Sequence, residues 1–192
     1  MTAAHGGWRA VDDERLTALA LHARDGADAH TTAFVQAAYV DVRRFVAHLT
    51  DDQSADDLTQ ETFLRVLGSL PRFNGTSSAR TWLISIARRV VVDRFRAAAT
   101  RPVVAGLSDW QAAAEGRRPR GLPGMEDGIA LTELLADVPR ERREAFLLTQ
   151  VAGVSYAEAA VLLGCPIGTV RSRVARARSQ LISSLLAADR AA

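Results

Sequence analysis

Apolar residues recur at intervals of three and four along most of this chain, and nowhere does a period of two persist long enough for a strand. A chain patterned this way buries its apolar surface by packing helix against helix, so the expected class is all-α. From Asp12 to Arg24 the pattern sets Leu16, Leu19 and Ala20 on one side, and Gly26 breaks it. Phe34, Ala38, Val42, Phe45 and Leu49 then form a single stripe. Ser54 precedes Asp57 by three residues, the spacing of a capping box, in which two side chains satisfy free amides at a helix start. That third helix is expected to run to about Leu70, where Pro71 stops it. A fourth is expected to begin near Ser77 or Ser78 and to carry Trp82, Leu83, Ile86, Val90 and Phe95.

The texture changes between Thr100 and Asp127. Pro102, Gly106, Gly116, Pro119, Gly121 and Pro123 interrupt every possible helix there, and the apolar period disappears. The stretch reads as a flexible linker. The expected organisation is an N-terminal helical domain over 1–100, a linker over 101–127 and a smaller helical domain over 128–192.

The C-terminal segment carries the sharpest pattern. Ser155 and Glu158 have the capping-box spacing and open a short apolar helix. Gly164-Cys165-Pro166 makes a tight turn, and a second helix starts at about Ile167. Its residues Ile167, Val170, Val174, Ala177 and Leu181 form one stripe, which leaves Thr169, Arg171, Ser172, Arg173, Arg176 and Arg178 pointing outward. Two short helices around a glycine turn, the second apolar on one side and Arg-rich on the other, describe a helix-turn-helix. A helix of that width enters the major groove, where Arg donates a forked pair to guanine and hydroxyls reach bases or phosphates.

Charge is segregated rather than large. The formal net charge is +2, yet the pI is about 9.3, and all 24 basic residues are Arg. Asp51, Asp52, Asp56, Asp57 and Glu61 form an acidic block. After it Arg72, Arg80, Arg88, Arg89, Arg94, Arg96 and Arg101 stand against a single acid, Asp93. An acidic helix beside a basic one suggests two partners, a cationic protein surface and a nucleic acid.

Other classes find little support. His5, His22, His30 and His48 are scattered, and none has metal-ligand spacing with Cys165. The Asp-rich block lacks calcium-loop spacing. Neither a catalytic site nor a cofactor or metal is expected. A single Cys fits a reducing compartment, and no apolar run is long enough to span a bilayer. The expected location is therefore the cytoplasm, without membrane insertion.

At this level of detail the residues resemble a known family. The stretch from Ser54 to Arg65, SADDLTQETFLR, is similar to region 2.2 of the extracytoplasmic-function sigma factors of bacterial RNA polymerase, in the sigma-70 superfamily. Phe73-Asn74-Gly75, Thr81-Trp82-Leu83, Ile86-Ala87-Arg88 and Asp93 to Arg96 resemble their regions 2.3 and 2.4. Pro166 to Arg173, with Arg176-Ala177-Arg178, resembles region 4.2, and the wording is closest to the sigma-C-like branch.

The resemblance implies a factor that binds core polymerase and directs promoter recognition, promoter melting and transcription initiation. Asp57, Gln60, Glu61, Phe63 and Leu64 would dock on the clamp helices of the largest subunit. The loop with Phe73, Asn74, Ser77 and Ser78 would take an unstacked base of the −10 element, with Arg88, Arg89, Arg94 and Arg96 mainly on phosphates. Thr169, Arg171, Ser172, Arg173 and Arg176 would read the −35 element. Further implied partners are the flap of the second-largest subunit and an anti-sigma factor. The chain departs from many relatives in having Arg89 where they carry Asn, and in lacking an aromatic near Ala79, Arg80 or Ile84. The competing expectation is a free-standing helix-turn-helix regulator that acts without polymerase, which leaves the acidic block without a use.

Overall fold

A computed structural model describes residues 13–50, 52–100, 131 and 133–191. Among these residues the structure is helical throughout, without a strand. The N-terminal body consists of α1 (Asp13–His22), α2 (Asp28–Ala47), α3 (Asp52–Ser69) and α4 (Ala79–Thr100). Each helix packs on the next, and α4 returns against both α1 and α2, closing a bundle. The stripe foreseen in α2 is the heart of its core: Phe34, Ala38, Val42 and Phe45 are fully buried, and Leu49 packs at the edge. Leu16 and Ala20 of α1, Leu58 and Val66 of α3, and Leu83, Ile84 and Ala87 of α4 complete it.

Gly26 ends the first helical segment with φ 75, a left-handed conformation that favours glycine. Pro71 falls in a short 3-10 turn (Leu70–Arg72) that closes α3 where expected. The start of α3 differs. The helix begins at Asp52, so Ser54 lies inside its first turn rather than before it. Thr59 and Thr62 are wholly buried in α3, and each hydroxyl donates 2.7 Å back to the carbonyl four residues earlier, which removes the cost of burying it.

The C-terminal body contains α5 (Arg140–Phe146), continued by a π-helical turn (Leu147–Val151), then α6 (Tyr156–Leu163) and α7 (Ile167–Ala191). Here α7 packs along α5 and α6. The capping box is complete: Ser155 Oγ accepts from the Glu158 amide, and Glu158 accepts from the Ser155 amide. Gly164 ends α6 with φ 62. Val170, Val174, Ala177 and Leu181 are buried as the stripe requires, but Ile167 is 38% exposed. It stands on the first turn of α7, at the flank of the stripe, and is only partly covered.

The two bodies touch through side chains. Thr81 donates to Glu158 (2.9 Å), Arg88 pairs with Glu144 (2.6 Å), and Arg140 lies 5.1 Å from the centre of the Phe95 ring. The expected linker over 101–127 lies outside the described residues. No helix among the described residues is long and apolar enough to cross a membrane.

Candidate polymerase and nucleic-acid interfaces

One face of α3 turns Asp57, Gln60, Glu61 and Leu64 to solvent, because the helical period sends Leu58, Thr62 and Val66 inward. Leu64 is 71% exposed among these acids. Phe63, expected on the same face, is instead buried and stacks on Tyr39 of α2 with ring centres 5.7 Å apart. It supports the face from beneath. Glu61 is engaged locally, since Arg65 bridges it (2.6 Å) to Asp93 of α4 (2.8 Å). Arg43 holds Asp56 at 2.6 Å. Val40 of α2, outside the Phe34–Ala38–Val42 stripe, is 61% exposed.

The second site lies between α3 and α4. Phe73 is buried and packs on Trp82 with ring centres 4.7 Å apart, which makes both a floor for the loop. Asn74 Oδ1 accepts from the Thr76 amide (3.1 Å) and hydroxyl (2.9 Å), shaping a tight turn in which Gly75 has φ 73. Ser78 caps α4 by accepting from the Thr81 amide at 3.2 Å. Ser77 and Ser78 are half-buried, whereas Asn74 is exposed at the tip. Along α4, Arg89, Arg94 and Arg96 are exposed, and Arg88 is half-buried against Glu144.

The third site is α7. Arg171, Ser172 and Arg176 are exposed on the side opposite the buried stripe, and Thr169 is half-covered. Arg173 is set apart. It pairs with Glu141 of α5 at 2.6 Å and lies 3.6 Å from Cys165 Sγ, so its guanidinium braces α7 on α5. Ser172 donates to the Thr169 carbonyl (2.9 Å). Glu158 joins the second and third sites, since it closes the capping box and accepts from Thr81. Burial pushes its carboxyl up, but the hydrogen bonds from Ser155 and Thr81 outweigh this and hold it below the ordinary value.

A helical bundle with an Arg-lined helix, beside a helix-turn-helix, is the arrangement of a DNA-binding protein. Comparison with known proteins narrows the class. The sigma-70 region 2 family model matches residues 34–101, and the sigma-70 region 4 model matches residues 129–181. The chain is 51% identical over 174 residues to the ECF RNA polymerase sigma factor SigC of Mycobacterium tuberculosis, covering 91% of this chain and 93% of that protein. It is 35% identical to the ECF sigma factor EcfG of Rhodopseudomonas palustris over 81% of this chain and 84% of that one. Among solved structures it resembles CnrH in complex with the cytosolic domain of CnrY, with TM-score 0.65, 26% identity, and coverage of 93% and 99%. RpoE of Bartonella quintana bound to the anti-sigma factor NepR follows, with TM-score 0.62, 25% identity, and coverage of 80% and 95%. The chain belongs to the sigma-70 family, as an alternative sigma factor of the extracytoplasmic-function kind that directs transcription initiation.

Proposed function

We propose that this factor joins core RNA polymerase through the exposed face of α3 and then offers the promoter two separate surfaces. Asp57, Gln60, Glu61 and Leu64 meet the clamp helices of the largest subunit, with Phe63 holding the face in shape. The acids steer the encounter and Leu64 supplies apolar contact. The loop with Asn74, Ser77 and Ser78, floored by Phe73, receives a base of the −10 element. Arg88, Arg89, Arg94 and Arg96 neutralise phosphates beside it. Capturing an unstacked base stabilises the open strand without nucleotide hydrolysis, because stacking and pairing lost in the duplex are replaced by contacts to the protein.

The exposed side of α7, with Thr169, Arg171, Ser172 and Arg176, reads the −35 element in the major groove. Arg173 serves this surface by holding α7 in place. The C-terminal body also meets the flap of the second-largest subunit, and residues 101–127 join the two bodies. The factor is cytoplasmic and not a catalyst, and an anti-sigma factor is a further partner. Arg88 reaches DNA only after its pair with Glu144 opens, so promoter binding and separation of the two bodies go together.

The observation that carries this reading is Leu64, 71% exposed on a face otherwise made of Asp57, Gln60 and Glu61. A free-standing regulator has no use for such a face. Asp57→Arg tests it most cleanly, because Glu61 also holds Arg65 and its replacement disturbs the link to Asp93. The variant is expected to keep its helical circular dichroism and to lose core-polymerase affinity roughly tenfold or more, since like charges at an interface cost several kcal/mol. Normal co-purification with core polymerase would refute the docking face.

A further inference from the structure

We propose that α1, which lies before the matched sigma-70 region 2 segment, positions the −10 loop, and that Thr17 is its central positioning residue. The inference rests on the reading of the loop around Asn74 and Ser77 as the −10 contact. Two stripes run along α1. Leu16 and Ala20 point into the core and are fully buried. Asp13, Thr17 and Leu21, spaced by four, form the other stripe and meet the loop and the first turn of α4 one after another.

Thr17 makes the central contact. Its hydroxyl accepts from the Ala79 amide at 3.0 Å, across 62 residues of sequence, and donates to the Asp13 carbonyl at 2.8 Å. The first amides of α4 have no acceptor within their own helix. Ser78 takes that of Thr81, and Thr17 takes that of Ala79. With its proton committed to α1, the hydroxyl turns a lone pair toward α4, and the junction between loop and helix is held from outside both. One turn further on, Leu21 lies under the loop: a Cβ added at Gly75 would stand 3.5 Å from the Leu21 side chain. One turn back, Asp13 Oδ1 lies 3.6 Å from Arg80 Nε. The loop at Gly75 and the first turn of α4 at Ala79 and Arg80 are therefore met by one helix.

A pocket that selects one base over another needs its donors and acceptors held to within a fraction of an ångström. The short loop cannot supply that stiffness alone, because Asn74 at its tip is exposed and, among the described residues, bonded within its own turn. α1 supplies it, and so contributes to base choice without touching the base.

The test uses full-length protein in holoenzyme. The probe is a single-stranded non-template oligonucleotide spanning the −10 element of a promoter that the holoenzyme transcribes, and the same strand with each −10 base changed in turn. Thr17→Val, which keeps the shape and removes the acceptor, is expected to lower discrimination between these strands about fivefold, as for loss of one hydrogen bond. Thr17→Ser is expected to restore it. Core-polymerase affinity and duplex −35 binding should stay at wild-type levels in both. Leu21→Ala, which opens space beneath Gly75, should repeat the loss.

Wild-type discrimination in Thr17→Val, with discrimination lost in Asn74→Ala, would overturn the positioning role and leave the −10 loop standing. Wild-type discrimination in both would overturn the −10 reading, and the inference with it. Equal loss in Thr17→Val and Thr17→Ser, in step with a lowered melting temperature and weakened polymerase binding, would reduce Thr17 to a fold-stabilising residue.

Discussion

The two surfaces proposed to face DNA are held in place by different means. The turn of the helix-turn-helix is shaped by neighbours: Ser155 and Glu158 close their box across three residues, and Gly164 turns the chain, while α7 packs on α5 and α6 of its own body. The −10 loop is assembled by distant residues: Thr17 caps α4 across 62 residues, and Leu21 supports Gly75. A locally built surface keeps its shape wherever its body moves. A surface built at long range exists only while the whole bundle is folded, so anything that loosens the bundle reaches base capture before it reaches groove reading.

Acid should break this comparison with the larger effect. His48 is buried at the end of α2, and burial, with repulsion from Arg44, holds its imidazole down to about 4 from the ordinary 6.5. The unfolded chain therefore takes up the proton more readily than the folded bundle. Stability due to this group is complete above pH 6.5 and is lost as the pH falls toward 4, by about 3 kcal/mol. The four histidines all lie at or before position 48, so the C-terminal body has none. A pH series of melting curves should show the N-terminal body weakening first, and His48→Gln should remove most of the slope. Parallel weakening of both bodies, unchanged in His48→Gln, would contradict the assignment.

A smaller effect sharpens the contrast within α7. Arg176→Ala is expected to weaken −35 binding by about 1–3 kcal/mol if its guanidinium makes a forked contact to a base. Arg173→Ala breaks a pair that is mostly exposed on the Glu141 side, a loss of about 0–1 kcal/mol in stability. Binding titrations with duplex −35 DNA and base substitutions separate the two. Loss of base discrimination in Arg173→Ala but not in Arg176→Ala would reverse the roles.

The same division between local and distant contacts governs what could be read from the sequence. The capping box at Ser155, the turn at Gly164 and the stripe through Val170 and Leu181 are patterns within one or two turns, and the structure contains them. Arg173 was legible only in part. One position before Val174, it falls at the flank of the buried stripe, which marks it as less outward than Arg171 or Arg176, but Glu141 stands 32 residues away. The family resemblance puts Phe63 with the docking residues, and only the packing of Tyr39 upon it shows that it is buried. Nothing near Thr17 marks it as a cap, since its acceptor role depends on how α1 meets α4. The Ser54 box failed for a different reason. The spacing was present, but the helix had already begun at Asp52.

Run-off transcription tests the central claim most directly. Purified core polymerase would be incubated with promoter-containing fragments, alone, with the wild-type factor, and with Asp57→Arg. The account predicts transcripts from defined starts with the wild-type factor, none with core polymerase alone, and a loss of those transcripts with Asp57→Arg even though the variant is folded. Sequence-specific DNA binding by the factor without polymerase, together with no defined transcripts when polymerase is added, would contradict it.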